Sequence, residues 1–178
     1  MKFKMEIQKD SVEIFKQLFS GLQRGYGLLH GDVYRYVKGQ PTTELYQQNL
    51  EGKISLGIVP ITDKGNCRFA TLDFDDHKKG GIKKEFDYDL LQKKIKFFNF
   101  PLSIIRSKTG GAHAWLFLDR YYPARDVKHI LKKFAYALGY ERETSAIEIF
   151  PKTDVLSGLG KKVNLPYTGG NSRVLLNN

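Results

Sequence analysis

Apolar residues in the first third of the chain predict two short helices and one strand. The segment 10–20 places apolar residues at helical spacing and is followed by Gly21, a residue type that commonly ends helices. The segment 42–52 predicts a second helix, and 54–61, which reads ISLGIVPI, is typical of a strand. Between the two helices, residues 24–41 are rich in glycine and aromatic residues, and we expect mostly loop or short strand there.

From residue 67 onward, the pattern predicts strands and helices in the order β-α-β-β-α-β. The predicted strands cover 68–75, 102–107, 112–119 and 145–150. The predicted helices cover 87–98 and an amphipathic segment from Val127 to Leu138, which Gly139 follows. This order is typical of ferredoxin-like and RNA-recognition-motif sheets, in which both helices cover one face and leave the other for function. We therefore predict an α+β fold, with this sheet in residues 67–178 and a smaller α+β lobe in residues 1–66.

Alternation along these strands places four polar side chains on the same face of the predicted sheet. Residues two apart on a strand share a face, so Asp73 and Asp75 lie opposite the aliphatic side of the first strand. By the same rule, His113 and Glu148 lie opposite the aliphatic sides of their own strands. Three carboxylates and an imidazole are therefore expected to converge on the face away from the helices.

Clustered carboxylates repel each other unless cations neutralise them, and divalent metal ions are the natural partners. Oxygen ligands suit Mg²⁺ or Mn²⁺, and two such ions roughly 3.5–4 Å apart can hold the attacking and leaving oxygens of a phosphoryl transfer. Asp73, Asp75 and Glu148 are the candidate ligands. The alternative is that the acidic run merely ends a strand as a solvated turn.

Two further segments offer groups that bind phosphates. The sequence RSKTGGAHAW combines two glycines, which let backbone amides approach an anion, with Arg106, Ser107, Lys108 and His113 as donors. The sequence FPKTDVLSGLGKKVNLPY carries Lys152, Lys161 and Lys162 around two glycines. The alternatives are a simple hairpin turn for the first segment and a solvated basic loop for the second.

Charge and composition narrow the class of partner. The 29 Lys and Arg exceed the 19 Asp and Glu and leave a formal net charge of +10, which favours a polyanion such as nucleic acid. The single cysteine excludes an internal disulfide, and no Cys/His cluster has zinc spacing. Neither a membrane-spanning apolar run nor a signal peptide is found, so we expect a cytoplasmic protein without membrane association.

The motifs LDFDD, SKTGGAHAW and IEIFPK…GLGKKVNLPY resemble the catalytic core of the archaeo-eukaryotic primase superfamily over about residues 56–170. The resemblance is greater to its primase-polymerase branch, which includes forms associated with CRISPR and other conflict systems. It implies that Asp73, Asp75 and Glu148 hold the metals, that Ser107 and His113 contact the phosphates of the incoming nucleotide, and that Lys152 or Lys162 assists. His113 lies six positions after Ser107, a wider spacing than the family's S-x-H element. The zinc element and helical domains of many members are absent, and we expect an excised domain of a larger protein.

These features predict a template-directed nucleotidyltransferase, a DNA primase and polymerase core that joins NTPs or dNTPs with two divalent ions. A single-stranded DNA or RNA template is expected near Arg24, Arg35 and Lys38, which are interleaved with tyrosines as in surfaces that pair phosphates and stack bases. Two alternatives remain at this point. A two-metal nuclease needs the same carboxylates, and an RNA-binding module uses a sheet of the same order.

Overall fold

The computed structural model describes residues 9–75, 86–107, 110–140, 147–167 and 174–176. Within these ranges the helices are α1 (Lys9–Leu18), α2 (Thr43–Leu50), α3 (Tyr88–Phe97) and α4 (Ala124–Ala137). The strands are β1 (Gly25–His30), β2 (Val33–Lys38), β3 (Ser55–Ile58), β4 (Asn66–Phe74), β5 (Ser103–Arg106), β6 (Ala112–Pro123), β7 (Ile147–Phe150), β8 (Val163–Asn164) and β9 (Val174–Leu176). In the part of the chain so described, no helix is long and apolar enough to cross a bilayer.

The larger sheet confirms the predicted β-α-β-β-α-β order. Its five strands lie side by side as β7-β4-β6-β5-β9, and β4 pairs antiparallel with both β6 and β7. The strand β6 thus lies between β4 and β5, the two strands that α3 connects, which is the split arrangement of a ferredoxin-like sheet. Strand β9 extends this sheet beyond β5.

One face of the larger sheet packs against α3 and α4. Small and aliphatic residues such as Leu72, Ala114 and Ile149 alternate along β4, β6 and β7 and are fully or almost fully buried. They form one core with Ile95 of α3 and Leu131 of α4, residues on the apolar stripes of those amphipathic helices. The helices therefore occupy one face, as the alternation predicted.

The smaller sheet has the strand order β2-β1-β3-β8. Strands β1 and β2 form a hairpin in which His30 pairs with Val33, so the loop contains only Gly31 and Asp32. Gly31 has a φ of 57°, a conformation that such two-residue loops require. For residues 24–41 mostly loop or short strand was expected, and the structure shows two paired six-residue strands. Strand β8 pairs with β3, so the segment 67–178 contributes to both sheets.

The second face of the larger sheet is largely covered. Phe19, just after α1, makes edge-to-face ring contacts with Phe69, Trp115 and Phe117. Residues of the smaller sheet, including Leu56, join the same buried cluster. The expectation that this whole face stays free is therefore wrong, because the aromatic residues of the N-terminal lobe pack onto it. The accessible part is the end that carries the predicted carboxylates.

Candidate active site

Asp73, His113 and Glu148 lie side by side on three neighbouring strands. In the register of the sheet, Asp73 on β4 pairs with His113 on β6 and with Glu148 on β7. Directly paired residues in an antiparallel sheet point to the same face, so the three side chains converge as predicted. The His113 Nε2 atom lies 3.1 Å from Asp73 Oδ1, and these side chains are 14% and 17% exposed.

Glu148 is paired with a lysine from the loop that follows its own strand. The Nζ atom of Lys152 lies 3.0 Å from Glu148 Oε1, and the ammonium also lies 5.0 Å from the centre of the Phe150 ring. Lys152 is only 16% exposed, whereas Glu148 is 38% exposed. A half-buried cation is thus held against the more accessible carboxylate, which leaves a free side of Glu148 open to solvent.

Lys128 on α4 anchors this loop. Its Nζ donates a hydrogen bond to the backbone carbonyl of Lys152 and lies 4.0 Å from Asp154 Oδ1. Its side chain is 15% exposed, so the contact is mostly shielded from water. The role of Lys128 has no signal in the local sequence pattern, because the contact joins residues 24 positions apart.

Asp75 directly follows the last residue of β4 and is half-buried. Gly111, in the turn that connects β5 to β6, lies against the backbone of Phe74 and Asp75. A Cβ atom on Gly111 would come within 1.9 Å of the Phe74 carbonyl oxygen and 3.2 Å of the Asp75 Cα. Only glycine fits there, so the close approach sets where the β5–β6 turn sits relative to the acidic end of β4.

The turn itself is held by its own backbone. The Ser107 amide donates to the Gly111 carbonyl at 2.9 Å, and the Gly110 amide donates to the Ser107 carbonyl at 3.3 Å. Gly110 has a φ of 98°, which favours glycine. Ser107 is half-buried at the end of β5, while Lys108 lies outside the described residues.

Arg106 is not brought to the carboxylates. It pairs with Ala112, whose side chain belongs to the helix side of the sheet, whereas Ile105 pairs with His113. Its Nε donates to the Tyr88 hydroxyl at 3.0 Å, and its guanidinium lies 5.0 Å from the centre of that ring. The Tyr88 hydroxyl in turn donates to the Gly110 carbonyl. Arg106 and Tyr88 therefore hold the turn through the Gly110 carbonyl. The sequence pattern did not indicate this role for Tyr88.

A family model for the archaeo-eukaryotic primase domain of TOTE conflict systems matches residues 35–174 of the 178-residue chain. The chain belongs to this primase family. The match confirms the resemblance found in the sequence and indicates an enzyme of the nucleotidyltransferase type, with nucleic acid and nucleoside triphosphates as substrates. No curated protein matches the chain significantly. The CRISPR association stays a prediction, because the matching model names TOTE conflict systems.

The carboxylates of this primase domain fit a divalent ion by their chemistry. Primases of this family typically use divalent metals, and Asp73, Asp75 and Glu148 offer the oxygen ligands that Mg²⁺ and Mn²⁺ prefer. Within the described ranges, however, no three His, Cys, Asp or Glu side chains are arranged closely enough to hold a metal. Asp73 instead lies against His113, and Glu148 lies against Lys152. The donor set therefore fits, but Lys152 competes for Glu148.

Lys162 of the primase domain lies on the smaller sheet. Its stem crosses the paired glycines Gly27 and Gly57, where a Cβ atom would come within 2.1 and 2.5 Å of its Cδ. Its Nζ donates to Asn164 Oδ1 at 2.7 Å and lies 4.6 Å from the centre of the Tyr34 ring. Burial lowers the pKa of this ammonium. In the part of the chain that the structure describes, the contacts of Lys162 lie within the smaller sheet.

The three residues predicted to bind template differ in their contacts. Arg24 is held within the fold, since its Nε donates to Asp63 Oδ1 and its Nη2 to the Gly158 carbonyl, both at 2.6 Å. Arg35 and Lys38 lie exposed on β2 at the edge of the smaller sheet. Template binding by these residues stays a prediction.

Proposed function

We propose that this primase domain is a template-directed nucleotidyltransferase, a DNA primase and polymerase that joins NTPs or dNTPs along a single-stranded DNA or RNA template. The observation that carries the proposal is the alignment of Asp73, His113 and Glu148 in one register at the accessible end of the larger sheet. The family match to a primase domain supports the same reading. We also propose that the same polypeptide contains further domains.

In this proposal, Asp73, Asp75 and Glu148 would hold two Mg²⁺ or Mn²⁺ ions. Bound there, the ions would supply charge neutralisation for the phosphates and for the attacking and leaving oxygens. A side chain next to the proposed ions would also contribute to charge neutralisation. Lys152 already balances Glu148, and its anchored loop keeps a positive charge at the site.

His113 and the glycine turn would orient the triphosphate. The His113 Nε2–H that now donates to Asp73 is the group that a phosphate oxygen would compete for. The described end of the turn is held in place, since Gly111 lies against the Phe74 carbonyl and Tyr88 bonds to Gly110. We assign Ser107, Lys108 and Lys152 to the same task, and Arg106 to positioning of the turn rather than to direct contact. Lys162 would bind a nucleotide phosphate only if that phosphate lay over the smaller sheet.

The reaction is a phosphoryl transfer. The 3′-hydroxyl oxygen of one nucleotide forms a bond to the α-phosphorus of the next, and the bond between that phosphorus and the bridging oxygen to the β-phosphate breaks. The hydroxyl proton leaves to solvent, and pyrophosphate is released with the bridging electron pair. Catalysis of this kind depends mainly on positioning and on electrostatic stabilisation.

A non-catalytic RNA-binding module is less well supported. Such modules stack bases on aromatic residues exposed on the sheet. Here the sheet aromatics Phe69 and Trp115 are fully buried under α1 and the smaller sheet, so that platform is closed. A two-metal nuclease would use the same carboxylates but has no need for a triphosphate-binding turn.

One experiment tests the proposal directly. The purified domain is incubated with a single-stranded template, Mg²⁺ or Mn²⁺ and labelled nucleotides, with and without a primer. We expect template-dependent extension with release of pyrophosphate. Degradation of the template without nucleotide incorporation would instead establish the nuclease, and binding without either reaction would establish the module. The Glu148→Gln variant serves as the inactive control in every arm.

A further inference from the structure

The helix layer carries two aromatic side chains that are exposed to an unusual degree. Phe97 at the end of α3 is 83% exposed, and Tyr136 near the end of α4 is 69% exposed. Both lie at the same end of the layer, because Lys94 of α3 donates at 2.7 Å to the carbonyl of Leu138, the residue that follows α4. This end of the layer is on the face of the larger sheet opposite to the carboxylates.

Each exposed ring follows an exposed lysine by one helical turn. Lys93 precedes Phe97 by four positions on α3, and Lys132 precedes Tyr136 by four positions on α4. Residues four apart lie on the same side of a helix, so each lysine shares a helix side with the ring that follows it. Lys96 and Lys133 add two more exposed cations. Among the described residues, none of these four lysines forms an ion pair with a carboxylate.

A stack of three further rings supports this end of the layer. Phe98 stacks on Phe100 with ring centres 5.2 Å apart, and Phe100 stacks on Phe134 of α4 with centres 4.1 Å apart. Phe97 meets Phe98 only edge to face, at an interplanar angle of 81°. The faces of the three stacked rings are covered by one another. The Phe97 ring packs beside this stack and keeps most of its own surface accessible to solvent.

We propose that this surface, formed by Phe97, Tyr136 and the four lysines, binds single-stranded nucleic acid away from the carboxylate face. Exposed rings beside unpaired cations are the combination with which proteins stack bases and pair phosphates without regard to sequence. A second copy of the chain is a poor occupant, because it would bring the same four lysines against each other. The site goes beyond the proposed reaction and requires neither metal nor catalysis.

A fluorescent reporter placed in the surface tests this inference. The Phe97→Trp variant adds one exposed indole to a chain whose own Trp115 is fully buried. Three probes are titrated without divalent metal: oligo(dT), an abasic oligonucleotide of the same length, and poly-glutamate. We expect oligo(dT) to quench the new indole and to bind roughly tenfold tighter than the abasic strand, which offers phosphates without bases.

Two matched pairs of variants locate the contact. In the reporter chain, Lys93→Gln with Lys96→Gln should flatten the slope of log affinity against log salt by about 1.4. The same change at the exposed lysines Lys9 and Lys64 should leave that slope unchanged. Likewise, Tyr136→Ser should weaken quenching by oligo(dT), whereas Ile14→Ser, which alters an exposed apolar residue of α1, should not.

Three outcomes would overturn the inference. Absence of quenching by oligo(dT) would show that no strand reaches Phe97. Equal affinity for the oligo(dT) and abasic strands would show that the rings do not stack bases. Tighter quenching by poly-glutamate than by oligo(dT) would assign the surface to an acidic protein segment. None of these outcomes bears on incorporation at the carboxylates, which the polymerase assay measures separately.

Discussion

Asp73 and Glu148 each already face a cationic or proton-donating side chain. Asp73 faces His113, and Glu148 faces Lys152. These contacts reduce the repulsion that would otherwise build up between two carboxylates on paired strand positions. They also mean that binding of a metal must compete with partners that are built into the protein. Substitutions at the two kinds of residue should therefore have opposite effects on metal affinity.

Asp73→Asn should abolish nucleotide incorporation and leave the fold intact. The amide keeps the shape of the side chain but is a poor ligand for a divalent ion, so we expect a loss of about a hundredfold or more in rate. The melting temperature should stay unchanged or rise, since one member of a carboxylate cluster is neutralised. Primer extension and thermal unfolding measure the two effects. Asp126→Asn, on the outer side of α4, is the control, and wild-type extension by Asp73→Asn would refute the assignment.

Lys152→Met should separate metal binding from nucleotide binding. Removal of the ammonium frees Glu148, so Mn²⁺ should bind more tightly, whereas the triphosphate loses a cationic partner. A hydrogen bond to a charged group contributes about 1.5–3 kcal/mol, so the nucleotide Kd should rise roughly tenfold or more. Titration calorimetry with each ligand alone gives both values. Weaker Mn²⁺ binding in this variant would mean that Lys152 organises the site instead of competing for it.

At the scale of elements, the glycine turn between β5 and β6 is fixed from two sides. The end of β4 blocks any side chain at Gly111, and the first residue of α3, Tyr88, bonds to the Gly110 carbonyl. A helix and a strand thus both hold the described end of this turn. Preorganisation of this kind contributes to ligand binding because less ordering is needed when the ligand arrives.

Tyr88→Phe should impair nucleotide binding through the turn. The ring and its contact with Arg106 remain, but the hydroxyl bonds to the turn and to Arg106 are lost. We expect the KM for nucleotide to rise several-fold with little change in kcat, and stability to fall by about 1 kcal/mol. Tyr122→Phe also removes a hydroxyl bond, at the far end of β6, and should change stability but not KM. Equal KM effects in both variants would contradict a positioning role.

The elements that the sequence predicted well are those with a strong local signal. Thr42 and Asp87 cap α2 and α3 with their side chains, as helix-start patterns anticipate. The hairpin of β1 and β2 lies in a segment expected as mostly loop or short strand, although a Gly-Asp pair between alternating residues is a signal for a hairpin. Strand β8 was missed because two residues carry no periodicity, and only pairing with the distant β3 defines it.

In the candidate site, too, features with a local sequence signal were predictable and features that depend on distant contacts were not. Strand alternation alone placed Asp73, His113 and Glu148 on one face, because a period of two needs no tertiary knowledge. The face of Arg106 was not predictable from its own segment, because it depends on the register of the hairpin, in which Arg106 pairs with Ala112. Its role in nucleotide binding stays a prediction. Lys128 acts through a contact with a distant loop, which no local pattern encodes.

At the scale of the whole molecule, Cys67 lies deep in the core between the larger sheet and its helices. Burial raises the pKa of this thiol to about 12, from an ordinary value of 9.0. The folded state therefore keeps a proton that the unfolded state loses as the pH rises above its ordinary pKa. By linkage, stability does not change with pH through this thiol while both states keep the proton, and it falls as the pH rises from about 9 towards about 12.

The native thiol should accordingly resist modification until the protein unfolds. A thiol-reactive dye added at neutral pH should label Cys67 only at the rate of opening, and denaturant should make labelling immediate. The Cys67→Ala variant should lose part of the decline in unfolding free energy above about pH 9. Rapid labelling of the folded protein would show that this part of the core opens far more readily than its packing indicates.

The pairing of β8 with β3 also has a consequence for synthesis of the protein. Gly57 and Asn164 are register partners more than one hundred positions apart, so the edge of β3 stays unpaired while the intervening chain is translated. An open strand edge is a template for pairing with other chains. Because domains fold as units once their sequence is available, the smaller sheet closes only after residue 164 has left the ribosomal exit tunnel. Nascent chains on one polysome therefore expose the same edge to one another, and sparse spacing of ribosomes should improve the yield of folded protein.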